Sequence, residues 1–281
     1  MVRHSSRHLR AVLRHVSTGA AGAEEQDTLP ISAPMTFARG PPMKNRFMLA
    51  PLTNEQSGET RGLPNGVLSD DEYTWLVKRA EGGFGLTMSC AAHVQRVGQG
   101  FNGQLGCWSD VHLEGLTRLA DGIKAHDSIS VVQLHHAGRR SPPHLIGEAP
   151  VCPSEDEETG SRGLSTEEVE QLVEDFIVGA ERCQAAGFDG VELHGAHDYI
   201  LCQFLSAEVN QRTDKYGGSQ TNRERIVREI IAGIRARCRP DFNLGIRLSP
   251  ERFGIVLGCV LNLAILSSIF GLRIADSTDV D

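Results

Sequence analysis

The alternation of two periodicities constrains this chain more than any other feature. Short apolar runs at 47–50, 86–91, 129–134, 190–193 and 244–248 have the length of buried β-strands, and stretches of helical spacing separate them. Tyr73, Leu76, Val77 and Ala80 form one helical stripe, and Leu113, Leu116, Leu119, Ala120 and Ile123 a second. Val169, Leu172, Val173, Phe176, Ile177 and Ala180 form a third, and Ile226, Ile230, Ile231 and Ile234 a fourth. Ser69 with Glu72 and Ser165 with Glu168 read as capping boxes at two helix starts, while Gly82-Gly83 and Gly187 close helices. Strands that alternate with helices predict a parallel sheet with helical crossovers, hence the α/β class. Counting a helix after Leu248, the chain carries five βα units, where a closed (β/α)8 barrel takes eight.

Composition narrows the function. A formal net charge of -8 argues against a nucleic-acid partner, which needs a clustered basic surface. The seven cysteines stand singly, with no C-x-x-C pair, so neither a zinc nor an iron–sulfur site is signalled, and reduced thiols in an intracellular, cytoplasmic setting are expected. Residues 1–30 read as a disordered or targeting tail. Arg3, Arg7, Arg10 and Arg14 recur there among Ser and His without an acid up to Ala23, which gives a mitochondrial alternative. Residues 31–254 carry the α/β pattern. Residues 255–281 diverge, and their uncharged stretch 255–272 is read as a buried helix rather than a membrane span, because Gly258, Asn262, Ser267, Ser268 and Gly271 dilute it.

In a parallel α/β fold the loops leaving the carboxyl ends of the strands build the site. The predicted strands end in Pro51-Leu52-Thr53, Ala91, Gln133, His194 and Arg247, so nearly every strand brings a polar group there. In His194-Gly195-Ala196-His197-Asp198-Tyr199 a turn would aim two imidazoles at one point, able to donate to an oxygen that gains negative charge, with a phenol beside them as proton donor. Zinc binding with His135 or His136, or simple loop polarity, are the alternatives. Arg247 inside an apolar strand needs an anion, strong acceptors or an interior salt bridge. A buried Gln133 needs a donor and an acceptor together, and the pyrimidine edge of a flavin meets both demands. The G-x-G-x-x-G nucleotide fingerprint is absent.

These motifs resemble the old yellow enzyme family. The resemblance runs from about Thr36 to Phe253, through Asn45-Arg46, Ala50-Pro51-Leu52-Thr53, the run from Gln133 to Arg139, the run from His194 to Tyr199, and Gln203 through Arg223. It implies a (β/α)8 TIM barrel, here incomplete, with FMN bound at the carboxyl ends of the strands and NADH or NADPH as reductant. By matching position, Pro51, Leu52, Thr53 and Ala91 would lie against the flavin ring, and Gln133 and Arg247 would bind its pyrimidine edge. His194 and His197 would hold the carbonyl oxygen of an enone-type small-molecule substrate, and Tyr199 would protonate its α-carbon. The implied activity is reduction of the C=C bond of α,β-unsaturated carbonyl compounds.

Two departures matter. Asp198 stands where a small residue is usual and is expected to perturb the neighbouring histidines. Family members also continue into three further strands, whose loops grip the flavin phosphate, and past Phe253 the likeness fades. The alternative expectation is therefore a non-catalytic fragment, or a gene-model artefact, that folds poorly and does not retain FMN.

Overall fold

The computed structural model describes residues 30–249; the arginine-bearing tail and the apolar stretch at 255–272 lie outside the described residues. Five parallel strands form one sheet in chain order. They are β1 (Met48–Leu49), β2 (Leu86–His93), β3 (Ile129–His135), β4 (Gly190–Gly195) and β5 (Asn243–Leu248). Helices α1 (Asp70–Glu81), α2 (Leu113–Lys124), α3 (Thr166–Ala185) and α5 (Arg225–Arg237) provide the crossovers, and the short α4 (Ile200–Leu205) follows β4. A sequential all-parallel sheet with helices on one side is a (β/α) barrel in part, five of its eight staves.

Burial explains the strand sequences. Every residue of β2 and β3 is buried, as befits strands covered on both faces, so they read as continuous apolar runs rather than alternating ones. The outer faces pack against Leu76 and Ala80 of α1, Leu116, Leu119 and Ile123 of α2, Phe176 and Ala180 of α3, and Ile226, Ile230 and Ile234 of α5. Each such fully buried large side chain stabilises the fold by about 1.5–3 kcal/mol. Inside the sheet, near the strand starts, Leu86, Met88, Ile129 and Val131 form a second cluster with Met43, backed by Met35 and Phe37. The Met35–Met43 bridge folds that segment across the amino-terminal end. Hydrocarbon thus closes one end of the sheet, and polar groups collect at the other.

Some boundaries differ from expectation. β1 is shorter than predicted: only Met48 and Leu49 pair with β2, and Pro51 has no N–H to extend the ladder. β2, β3 and β4 run one or two residues further than predicted. Ser165 and Glu168 make the full capping box at α3. At α1 only half of it forms. Ser69 Oγ accepts the Glu72 N–H (3.0 Å), but the Glu72 carboxyl is buried and takes the Ser57 hydroxyl and the Cys90 thiol (2.9 Å) instead of reaching back to the cap. Burial there raises the Glu72 pKa.

A β-bulge adjusts what faces inward. Met88 pairs with Val131, but the next inward partner of Gln133 is Ala91, not Cys90, so β2 advances three residues while β3 advances two. Cys90 then joins the outer core, and Ala91 faces the carboxyl-end cleft.

Candidate active site

The carboxyl ends of the strands surround one cleft. Pro51 and Thr53 beyond β1, Ala91 of β2, Gln133 of β3, His194 of β4, Arg247 of β5, and His197 and Tyr199 of the following turn all line it, together with Phe101. Leu52 is the exception among the residues singled out from the sequence: its side chain is 49% exposed and stands outside the lining. The cleft encloses about 90 Å3, well below the about 300–1,000 Å3 usual for a small-molecule pocket.

Imidazoles and phenol form one flank. The His194 ring lies 5.1 Å from that of His197 and 4.8 Å from that of Tyr199, both nearly edge-to-face. The turn that brings them together places two consecutive non-glycine residues, His197 (φ 59°) and Asp198 (φ 60°), in the left-handed region. It is held from outside: Arg139 donates to both Asp198 oxygens (3.1 and 3.0 Å), Gln203 Nε2 donates to the Asp198 carbonyl (2.6 Å), and the His197 N–H donates to Ser249 Oγ (2.9 Å). The expectation that Asp198 perturbs the histidines is corrected here. Its carboxylate is engaged by Arg139, with Arg140 at 3.7 Å, and the groups that act on His194 are different ones. Burial first, then the charges of His197 and Arg247, push His194 down to about 3. Its Nδ1 accepts a long hydrogen bond from the Ala196 N–H (3.4 Å), which leaves the proton of the neutral ring on Nε2.

Behind this flank sits His135, which the sequence raised only as a metal ligand. Its ring is 4.3 Å from Tyr199 and 5.5 Å from His194. Gln104 Oε1 accepts from the Gly100 N–H (2.7 Å), so Gln104 Nε2 faces His135 Nδ1 (2.9 Å). Burial holds His135 well below its ordinary pKa. Among the described residues no group of three or more His, Cys, Asp or Glu is placed to hold a metal ion, so the zinc alternative finds no site there.

Gln133 and Arg247 form the other flank, and both meet Glu192, a residue the sequence reading passed over. Gln133 Nε2 donates to Glu192 Oε1 (2.7 Å), and Arg247 Nε to the same oxygen (3.3 Å). Arg247 thus has the interior salt bridge that stood as its alternative, and it also lines the cleft. Glu192 was legible in one respect: it lies two residues before His194 on a strand, hence on the same face. Pro51, Thr53 and Ala91 line the cleft between this flank and the histidines.

Fold and cleft together are those of a β/α-barrel enzyme with its site at the carboxyl ends of the strands. Residues 30–254 match the NADH:flavin oxidoreductase / NADH oxidase family, and the chain belongs to that family of FMN enzymes reduced by NAD(P)H. It is 36% identical over 230 residues to the probable NADH-dependent flavin oxidoreductase YqiG of Bacillus subtilis, covering 79% of this chain and 60% of that one. An old yellow enzyme homologue from Zymomonas mobilis superposes with a TM-score of 0.71 at 27% identity, over 79% of this chain and 63% of that one. Morphinone reductase in complex with tetrahydroNAD does so with 0.70 at 30% identity, over 80% and 65%. The chain therefore spans less than two thirds of the length of each of these relatives. Among the described residues no helix is long and apolar enough to cross a membrane.

Proposed function

We propose that this chain is built for reduction of the C=C bond of α,β-unsaturated carbonyl compounds, with FMN as cofactor and NADH or NADPH as the electron source. The observation that carries the proposal is the meeting, in one cleft, of the His194–His197–Tyr199 flank with the Gln133–Arg247 flank. That a solved relative is named morphinone reductase supports the substrate class.

Gln133 and Arg247 would hold the pyrimidine edge of the flavin, with Pro51, Thr53 and Ala91 against its ring. When bound, FMN supplies hydride transfer in both directions, from the nicotinamide and to the alkene. The chain's own residues do the rest. His194, neutral with its proton on Nε2, donates to the substrate carbonyl oxygen beside His197, which polarises the alkene and stabilises negative charge as it develops on that oxygen. Tyr199, edge-on to His194, would give its phenolic proton to the α-carbon.

The test is direct. The purified chain is titrated with FMN and followed by visible absorption, then assayed for NADPH-dependent reduction of cyclohexenone. His194→Ala and Tyr199→Phe are expected to lower turnover by about 100-fold or more while flavin uptake is kept. Full activity in either variant removes its assigned role. A chain that takes up no flavin overturns the enzymatic proposal in favour of a flavin-free fragment.

A further inference from the structure

Glu192 lies one inward position below His194, in register with Gln133 on one side and with Gly245 on the other. Gly245 has no side chain, and a Cβ there would come within 3.9 Å of Glu192 Cβ and Cγ, so the carboxylate has room to lean toward β5. A single oxygen, Oε1, takes both Gln133 Nε2 and Arg247 Nε. The Glu192 side chain is only 13% exposed and that of Arg247 29%, so water screens the contact little. Among the described hydrogen bonds, none uses Gln133 Oε1 or the terminal nitrogens of Arg247.

We infer that Glu192 is a positioning residue that sets the hydrogen-bonding polarity of the cleft. A glutamine amide can present either end to a ligand; a carboxylate accepts only, so it draws the NH2 end of Gln133 to itself and turns Oε1 outward as an acceptor. Holding Arg247 through Nε leaves its terminal nitrogens as donors. An acceptor on β3 facing donors on β5 selects an edge in which an N–H stands beside carbonyl oxygens, and it rejects the reversed pattern. The same carboxylate offsets part of the Arg247 charge. The inference rests on the flavin proposal for the identity of the ring, but not for the polarity itself.

Both effects bear on one atom. An outward Gln133 Oε1 would accept from flavin N3–H and oppose its ionisation, and the Glu192 charge would oppose it too. In Glu192→Gln the Gln133 amide is free to turn its NH2 toward the ring, and Arg247 stands uncompensated; both favour the N3 anion. The experiment uses the full chain loaded with lumiflavin, which has no phosphate, and titrates the bound flavin's visible spectrum to alkaline pH. Wild type is expected to keep the N3 proton to a pH higher by about one unit than Glu192→Gln, with Glu192→Asp between them. An N3 pKa that is the same in wild type and Glu192→Gln overturns the inference, and so does a higher value in the variant. Should Glu192→Gln fail to fold, the sign of the Glu192→Asp shift decides. Should wild type bind no lumiflavin, the FMN proposal is decided separately by the FMN titration above. The side-chain 15N–1H signals of Gln133 and of Arg247 Nε then decide: slow solvent exchange in wild type and fast exchange in either variant supports the role of Glu192, and unchanged exchange overturns it.

Discussion

Mild acid is expected to unfold this protein well above the range in which carboxylates titrate. Three histidines are buried in forms whose hydrogen bonds suit a single proton. His93 donates from Nδ1 to the Gln95 carbonyl (2.8 Å). His136 accepts the Gly138 N–H at Nδ1 (3.0 Å) and has Gln95 Oε1 at Nε2 (3.0 Å), and His194 accepts the Ala196 N–H. Burial pushes all three from 6.5 down to about 3. Because the folded pKa is the lower one, the unfolded chain binds more protons between these values, and stability falls as pH drops below about 6.5. Between pH 7 and pH 5 each histidine removes about 2 kcal/mol, the three together about 6 kcal/mol, against a usual total of about 5–15 kcal/mol. Glu72, whose acid form burial favours, works in the opposite direction, but His135 and His112, also held low by burial, add to the three. Urea unfolding followed by far-ultraviolet circular dichroism at pH 7, 6 and 5 measures this. His136→Gln is expected to lower the stability at pH 7 yet shrink the pH-dependent loss by about 2 kcal/mol. Unfolding free energies flat to within about 1 kcal/mol from pH 7 to pH 5 would refute the reasoning, since the rings would then be charged in the native state.

Two further substitutions probe the scaffold. Asp198→Ala is expected to be less stable than Asp198→Gly by about 1–2 kcal/mol: both lose the Arg139 fork, but only glycine accepts φ 60° without strain, and equal denaturation midpoints would contradict the left-handed turn. Gly190→Ala would set a Cβ 2.4 Å from the Asn243 carbonyl oxygen, a backbone atom that cannot swing aside, so β4 and β5 must separate locally; a loss of about 1–3 kcal/mol in urea melts is expected, and none would contradict that register.

The strand–helix order was legible because parallel strands covered on both faces leave an uninterrupted apolar signature, as in β2 and β3. The meeting of His194, Arg247, Gln133 and Ala91 in one cleft could be anticipated from strand ends alone, since parallel topology brings those ends together. What escaped depended on side-chain choices that spacing does not encode. Ser69 and Glu72 have capping-box spacing, yet Glu72 is drawn into the core by Ser57 and Cys90. Asp198 lies beside histidines in sequence but is turned away by Arg139. Leu52 sits between two cleft residues and faces solvent, because neighbours in an extended chain point in opposite directions. Spacing alone carries no signal of the part Glu192 plays, because that part depends on Gln133 and Arg247 of the flanking strands.

The bulge in β2 decides which side chain faces the cleft. A regular ladder would carry the Cys90 sulfur into the cleft, where an electron-poor alkene of the proposed kind would be open to attack by a thiolate and the protein would alkylate itself. One extra residue between Met88 and Ala91 hides that sulfur against the Glu72 carboxyl, where burial and the neighbouring acid keep it a thiol, and leaves the inert methyl of Ala91 in the cleft.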